Sequence, residues 1–186
     1  WSSDVCSSDL DYYQDFYDSF GDDCEFMVAS INFKEYLSNL ELDKNVIQEK
    51  LFPLEEKIAE GVNSAKVNKR VSQLKMQIET LNIRISEAND FIAKYGSNDI
   101  VLAGSLFVYT PQEAVYLFSG SYTEFNRFYA PVALQEYVMT QAIKRGITFY
   151  NFLGIMGIFD GSDGVLRFKQ NFNGYIVRKM GTFRYY

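Results

Sequence analysis

Ile47-Gln48-Glu49-Lys50-Leu51-Phe52-Pro53-Leu54 and, further on, Val71-Ser72-Gln73-Leu74-Lys75-Met76-Gln77-Ile78 share one spacing of apolar residues. Worked outward, the first limb places Leu37, Leu40, Ile47, Leu51, Leu54 and Ile58 in alternating three- and four-residue steps, with Lys44 as the exception. The second limb runs Val71, Leu74, Ile78, Leu81, Ile85, Ala88 and Ile92 without a break. A sustained seven-residue repeat keeps one seam facing a partner helix, which is the coiled-coil pattern. Gly61-Val62-Asn63-Ser64 supplies a stop and a turn between the limbs. The spacing therefore predicts an antiparallel two-helix arm that sets Ile58 against Val71, Leu51 against Ile78, and Leu40 close to Ala88. About 25 residues per limb at about 1.5 Å each give an arm of roughly 35–40 Å. Pro53 lies off the seam, so a kink is expected there rather than an end.

The arm takes about a third of the 186 residues, leaving the flanks to build a small globular core. A formal charge of −6 argues against a broad basic nucleic-acid surface. Tyrosine and phenylalanine concentrate outside the arm, as a dense core or a ligand-stacking groove would require. With no histidine in the chain, Ser-His-Asp and Cys-His catalysis and histidine metal sites are excluded together. No apolar run is long enough to span a bilayer, and no signal peptide is legible.

The opening Trp1-Ser2-Ser3-Asp4-Val5-Cys6-Ser7-Ser8-Asp9-Leu10 is what a common sequencing-adapter end encodes when translated. Residues 1–10 are therefore set aside as an expected artefact. Removing Asp4 and Asp9 moves the formal charge from −6 to −4, and Cys24 becomes a lone thiol. The reading frame is then expected to begin within a longer gene.

Along the chain, Asp11–Phe20 reads as a helix stopped by Gly21, with Tyr13, Phe16, Tyr17 and Phe20 on one face. Glu25–Ile31 and Ile100–Tyr109 read as strands on either side of the arm, with Ala114–Ser119 as a hairpin partner. Gly120–Asn126 is expected as a polar loop, Ala130–Lys144 as a helix and Ile147–Leu153 as a strand. The glycine-rich loop Gly154–Gly164, a short helix Val165–Asn171 and a strand from Tyr175 to about Phe183 complete the prediction. Mixed in this order, the elements are compatible with an α/β (α+β) fold, GNAT-like in the manner of acyl-CoA N-acyltransferases, with the antiparallel coiled-coil arm inserted. The expected division is 11–34 with 96–186 for the GNAT-like subdomain and 35–95 for the arm. Gly154, Gly157, Gly161 and Gly164 match neither a dinucleotide nor a Walker loop, and from spacing alone read as turn glycines.

Several segments carry a family likeness. They are Tyr12-Tyr13-Gln14-Asp15-Phe16-Tyr17 with Phe26-Met27-Val28-Ala29, the arm itself, and Gly120-x8-Tyr129-Ala130-Pro131. The most specific is Tyr150-Asn151-Phe152-x-Gly154-x2-Gly157-x-Phe159, followed by Gly164-Val165-Leu166-Arg167-Phe168-Lys169-x2-Phe172-Asn173. In this order the chain resembles the C-terminal portion of the FemABX peptidoglycan aminoacyltransferases, and the arm resembles their FemA/FemB-like branch. The resemblance implies two GNAT-like subdomains with an acceptor groove between them, this chain supplying the second. It implies transfer of an amino acid from aminoacyl-tRNA to the stem peptide of a lipid-linked peptidoglycan precursor, at the cytoplasmic face of the membrane. No cofactor beyond the aminoacyl-tRNA donor is expected, and peripheral membrane association is compatible with such a substrate.

With no histidine present, the tetrahedral oxyanion of that reaction needs a cation or preorganised N–H groups. Lys169 looks like the family's site lysine. It is expected to steady the oxyanion or a precursor phosphate with its ammonium free, helped by the N-terminus of its helix. Phe168 and Phe172 should anchor its flanks, with Phe168 also a candidate substrate contact; by spacing alone Lys169 reads first as a solvated lysine on an amphipathic helix, and the resemblance is what favours a site role. Tyr12 and Tyr129 are candidate acceptor contacts or ordinary half-buried tyrosines. Asp160 is a candidate proton acceptor, and Asp163 a second candidate or a helix cap. Lys66, Lys69 and Arg70 at the arm's tip are candidate tRNA contacts if the arm is more than a spacer. Two other readings stay open. A CoA-dependent N-acetyltransferase is opposed by the missing Gln/Arg-x-x-Gly-x-Gly/Ala loop, and a non-enzymatic coiled-coil interaction module on an α/β base would be favoured by an unrelated upstream domain.

Overall fold

The computed structural model describes residues 10–61 and 64–178. Helix α1 (Leu10–Phe20) leads through a short 3-10 turn, which Gly21 enters at φ 52°, into strand β1 (Cys24–Asn32). The arm follows as α2 (Phe33–Ala59) and α3 (Ala65–Tyr95). Then come β2 (Asp99–Tyr109), β3 (Glu113–Ser121), α4 (Ala130–Lys144), β4 (Phe149–Asn151) and α5 (Gly164–Gln170). The four strands form one sheet in the order β1-β2-β3-β4. β2 and β3 are an antiparallel hairpin with an irregularity between Leu106 and Phe107, and β4 runs parallel to β3 after the α4 crossover. Strands and helices thus share one α/β layer, with the arm inserted between β1 and β2.

The chain divides into two compact units, Ala29–Leu102 and the residues on either side of it. In the first unit, α2 continues through Pro53 to Ala59, so the proline does not end the limb. Leu40, Leu81 and Ala88 pack with Leu37 and Ile85; Leu51, Val71 and Leu74 pack with Ile58 and Ile78. Those are the pairings the repeat predicts for limbs folded back on each other. The base of the arm is tied by one side chain. Asn32 caps α2 by accepting from the amides of Lys34 and Glu35. Its Nδ2 donates to the Ser97 carbonyl at 3.0 Å and to Asp99 at 2.9 Å, joining the segments that enter and leave the arm. Just beyond, fully buried Phe33 stacks on Phe91, ring centres 4.6 Å apart.

In the other unit, Leu106, Phe107, Ala114 and Tyr116 of the hairpin and Leu134 and Val138 of α4 are buried. Pro131 sits in the first turn of α4 and Gly146, at φ 75°, follows its end, as expected. Three expectations are corrected. β4 spans three residues rather than Ile147–Leu153, because its pairing with β3 ends at Asn151. The segment expected as the loop Gly120–Asn126 begins as the end of β3 and continues as a 3-10 helix over Thr123–Phe128. Tyr175–Arg178 forms no strand, and the rest of that expected strand lies outside the described residues, as does the segment 1–9.

Candidate functional site

The candidate site is built where β4 ends. Asn151 turns the chain: its side-chain oxygen accepts from the Leu153 amide at 2.8 Å, and its Nδ2 donates to Glu113 on β3 at 3.0 Å. Leu153 is thereby held at φ 59°, a left-handed conformation costly for a leucine. Gly157 and Gly161, at φ 76° and 88°, fill positions that other residues adopt only with strain. The loop closes at Asp163, whose Oδ1 accepts from the amides of Val165 and Leu166 and starts α5. Asp163 is therefore the helix cap. Its Oδ2 is buried without a hydrogen-bond partner among the described residues.

Lys169, half-buried in the last turn of α5, reaches back across the loop and donates from Nζ to the Gly154 carbonyl at 2.7 Å. Burial lowers its pKa from the ordinary lysine value, and the Asp163 carboxylate acts in the opposite direction. An ammonium has three N–H donors, so two remain for a ligand. This modifies the expectation of a free ammonium, since the lysine already braces the loop. The expected help from the helix N-terminus is also corrected, because Asp163 already occupies the Val165 and Leu166 amides.

Behind Lys169, aromatic rings connect the loop to the core. Phe168 meets Phe172 at 5.3 Å, Phe172 meets Phe152 at 5.2 Å, and Phe152 meets Tyr116 at 6.3 Å. Tyr116 stacks on fully buried Phe107 at 5.5 Å. Phe168 and Phe172 do anchor the flank of the lysine. Tyr150 also contacts Phe152 at 4.9 Å and donates its hydroxyl to Gln135 on α4. Burial is the main cause of the raised Tyr150 pKa, with Tyr116 and Tyr109 adding to it. Gln135 is fully buried and its Nε2 has no partner among the described residues.

The other candidates separate. Tyr12, about half exposed on α1, packs its ring against Tyr13, Phe16 and Phe118. Tyr129 is 70% exposed at φ 52°, at the start of α4. Among the described residues, no hydrogen bond or ring contact joins either tyrosine to Lys169. Asp160 is exposed, and hydrogen bonds from the Ser162 hydroxyl and amide lower its pKa, which weakens it as a base. Lys66, Lys69 and Arg70 are exposed on the first turns of α3, in the other unit. No group of three Cys, Asp or Glu among the described residues is placed to hold a metal. No helix among them is long and apolar enough to cross a membrane.

Sequence reasoning missed the Gly154 carbonyl as the lysine's partner and the buried Gln135–Tyr150 pair. For Gln135 a signal existed: Leu134, Val138 and Ala142 place the buried face of α4 beside it. It also missed Glu25, which accepts from Tyr109 at 3.0 Å and pairs with Arg145, whose guanidinium lies 3.8 Å from the Tyr109 ring centre.

Comparison with known proteins places these features in a family context. The model of the FemAB family matches residues 3–186. The aminoacyltransferase FemA of Staphylococcus epidermidis (strain RP62A) is 26% identical over 185 residues, covering 98% of this chain and 44% of that protein. FemA of Staphylococcus aureus (strain MW2) is 28% identical over 159 residues, covering 84% of this chain and 38% of that protein. The crystal structure of FemX is similar with a TM-score of 0.69 at 19% identity, covering 88% of this chain and 42% of that one. The chain thus spans less than half the length of the curated relatives it matches.

Proposed function

The chain belongs to the FemAB family, and from that premise we propose that it forms one half of a tRNA-dependent aminoacyltransferase. The acceptor is the stem peptide of a lipid-linked peptidoglycan precursor, and the product extends an interpeptide bridge at the inner face of the membrane. The donor is an activated ester, so no further cofactor is required. The acceptor's neutral amine attacks the ester carbonyl carbon, a tetrahedral oxyanion forms, and its collapse expels the ribose oxygen of the tRNA, which takes up a proton.

The observation that carries this reading is Lys169 braced on the Gly154 carbonyl, with two donors still available beside the glycine loop. A lysine fixed before reaction need not reorganise as negative charge develops, which is the requirement for oxyanion stabilisation. The same two donors suit a phosphate oxygen of the precursor. Tyr129, exposed at the head of α4, and Phe168 are candidate acceptor contacts, with Tyr12 beside Phe118 a further one. Asp160 is the weaker choice for receiving the amine's proton, because its bonds from Ser162 favour the ionised, less basic carboxylate.

The test is transfer from charged tRNA to a lipid-linked precursor, with two proteins compared. One is the 186-residue chain; the other is the reading frame extended upstream to the length of the curated relatives. Turnover by the extended protein and none by the 186 residues is expected, because a groove between two subdomains needs both. Robust turnover by the 186-residue chain would contradict the two-subdomain reading.

A further inference from the structure

Asp163 is more buried and more highly charged than a helix cap requires. Its Oδ1 accepts from the amides of Val165 and Leu166 at 2.8 and 3.1 Å, and those two bonds suffice to start α5. The residue is nevertheless only 8% exposed, and Oδ2 has no hydrogen-bond partner among the described residues. A hydroxyl or an amide would cap the helix as well without leaving a charged oxygen in the core. A buried carboxylate is tolerated where a cation offsets it. The half-buried cation of this loop is Lys169, whose Nζ rests on the Gly154 carbonyl at 2.7 Å. The remaining ionisable groups of the loop and its surroundings are exposed or engaged. Asp160, Arg167, Tyr175 and Arg178 are exposed, Glu113 accepts from Asn151, and the Tyr150 hydroxyl donates to Gln135. No direct ion pair joins Asp163 to Lys169 among the described residues, so their attraction acts through space. Partial burial of both leaves it less screened than in water.

The proposed transfer makes opposed demands on pH. The acceptor amine attacks only when neutral, and its neutral fraction grows as pH rises towards the ordinary alkylamine value of about 10.4. Lys169 serves the oxyanion only as an ammonium, and its charged fraction falls over the same rise. Burial lowers the Lys169 pKa, which narrows the interval in which both conditions hold. The Asp163 carboxylate favours the ammonium and widens that interval again. A bell-shaped dependence of rate on pH follows, with Lys169 on its alkaline side.

We infer that Asp163 is a positioning residue for transfer, its buried carboxylate acting through Lys169 to set how far into alkaline pH the reaction runs. This rests on the aminoacyltransferase proposal, so two proteins are measured. In the 186-residue chain, with lysine isotope-labelled at Cε, the Lys169 resonance is identified by its loss in Lys169→Met and titrated by NMR. Asp163→Asn and Asp163→Ser keep a capping oxygen and delete the charge. Both should move the Lys169 midpoint to lower pH, with the melting temperature near the parent's. Asp160→Asn makes the same charge change at an exposed carboxylate and should leave the midpoint in place. In the upstream-extended protein, Asp163→Asn should bring the alkaline limb of the rate to lower pH. Beyond that limb its rate should fall towards the level of Lys169→Met, about 10²–10³-fold below the plateau. Lys169→Arg in the same background should abolish the shift of the limb, because a guanidinium does not titrate in this range. A midpoint unmoved by both Asp163 variants, or moved equally by Asp160→Asn, would overturn the inference. So would an alkaline limb that stays in place while the midpoint moves. Transfer by the extended protein beside an unmoved midpoint would remove the role of Asp163 and leave the enzyme standing. A moved midpoint without transfer would support the hold of Asp163 on Lys169 and count against the enzyme.

Discussion

The arm and the glycine loop are held in place by different kinds of contact. Along the arm, aliphatic side chains of similar size recur at one spacing, so each level of the seam resembles the next. The loop after β4 is positioned by single, dissimilar contacts: the Asn151 turn, the Asp163 cap, the Lys169 bridge to Gly154 and a run of rings reaching Phe107. A repeated seam spreads a loss over its neighbours. A loop fixed by unlike contacts has no second copy of any of them, so a small change there should alter geometry before it alters stability.

The largest effect is expected in the arm. Leu74→Ala deletes a side chain 2% exposed and should cost about 2–5 kcal/mol in chemical denaturation. Hydrogen exchange should rise around Leu51 and Val71 while α4 stays protected; faster exchange in both would break the contrast between the regions.

Tyr150→Phe should cost about 1–3 kcal/mol near neutral pH, because Gln135 then keeps neither of its polar atoms bonded in the core. The same variant sharpens the comparison through pH. Burial raises the Tyr150 pKa above the ordinary phenol value of 10.0, so the folded chain keeps a proton that the unfolded chain loses. That contribution is present below pH 10 and is lost as pH rises above it. The phenylalanine variant should show a shallower loss of stability in alkaline denaturation, and an unchanged slope would remove Tyr150 as its source.

The smallest effect is expected at the loop's end. Asp163→Ala removes the cap of α5 but also a buried, unpartnered Oδ2, so the net cost should be about 0.5–2 kcal/mol. Thermal melting checks it, and a cost well above that range would show that the loop is as cooperative as the seam.

How much was legible follows the same divide. The arm's limbs and pairings could be read because a helical seam writes itself as a local period. Ala130–Lys144 was bounded by Pro131 and Gly146, residues whose backbone restrictions act locally. β4 was over-extended because Ile147–Leu153 is uniformly β-prone, while its length is set by Glu113–Val115 on another strand and by the Asn151 turn. The Lys169–Gly154 bond spans fifteen residues and depends on the left-handed Leu153 and the glycines after it. No periodicity encodes such a path. Lys169 and the capping role of Asp163 were thus visible as candidates, while the loop geometry that joins them was not.

The central claim is that Lys169, braced on the loop, supplies charge to the transfer step. Steady-state transfer by Lys169→Met and Lys169→Arg in the upstream-extended protein tests it most directly. Lys169→Met keeps most of the stem and deletes the charge. It should lower the rate by about 10²–10³-fold, with melting temperature nearly unchanged, since the lost bond is to an exposed carbonyl. Lys169→Arg should recover only part of that, because a planar fork does not reproduce a compact ammonium. Turnover near the parent rate by Lys169→Met, at unchanged stability, would contradict the claim and leave Lys169 as a brace for the loop alone.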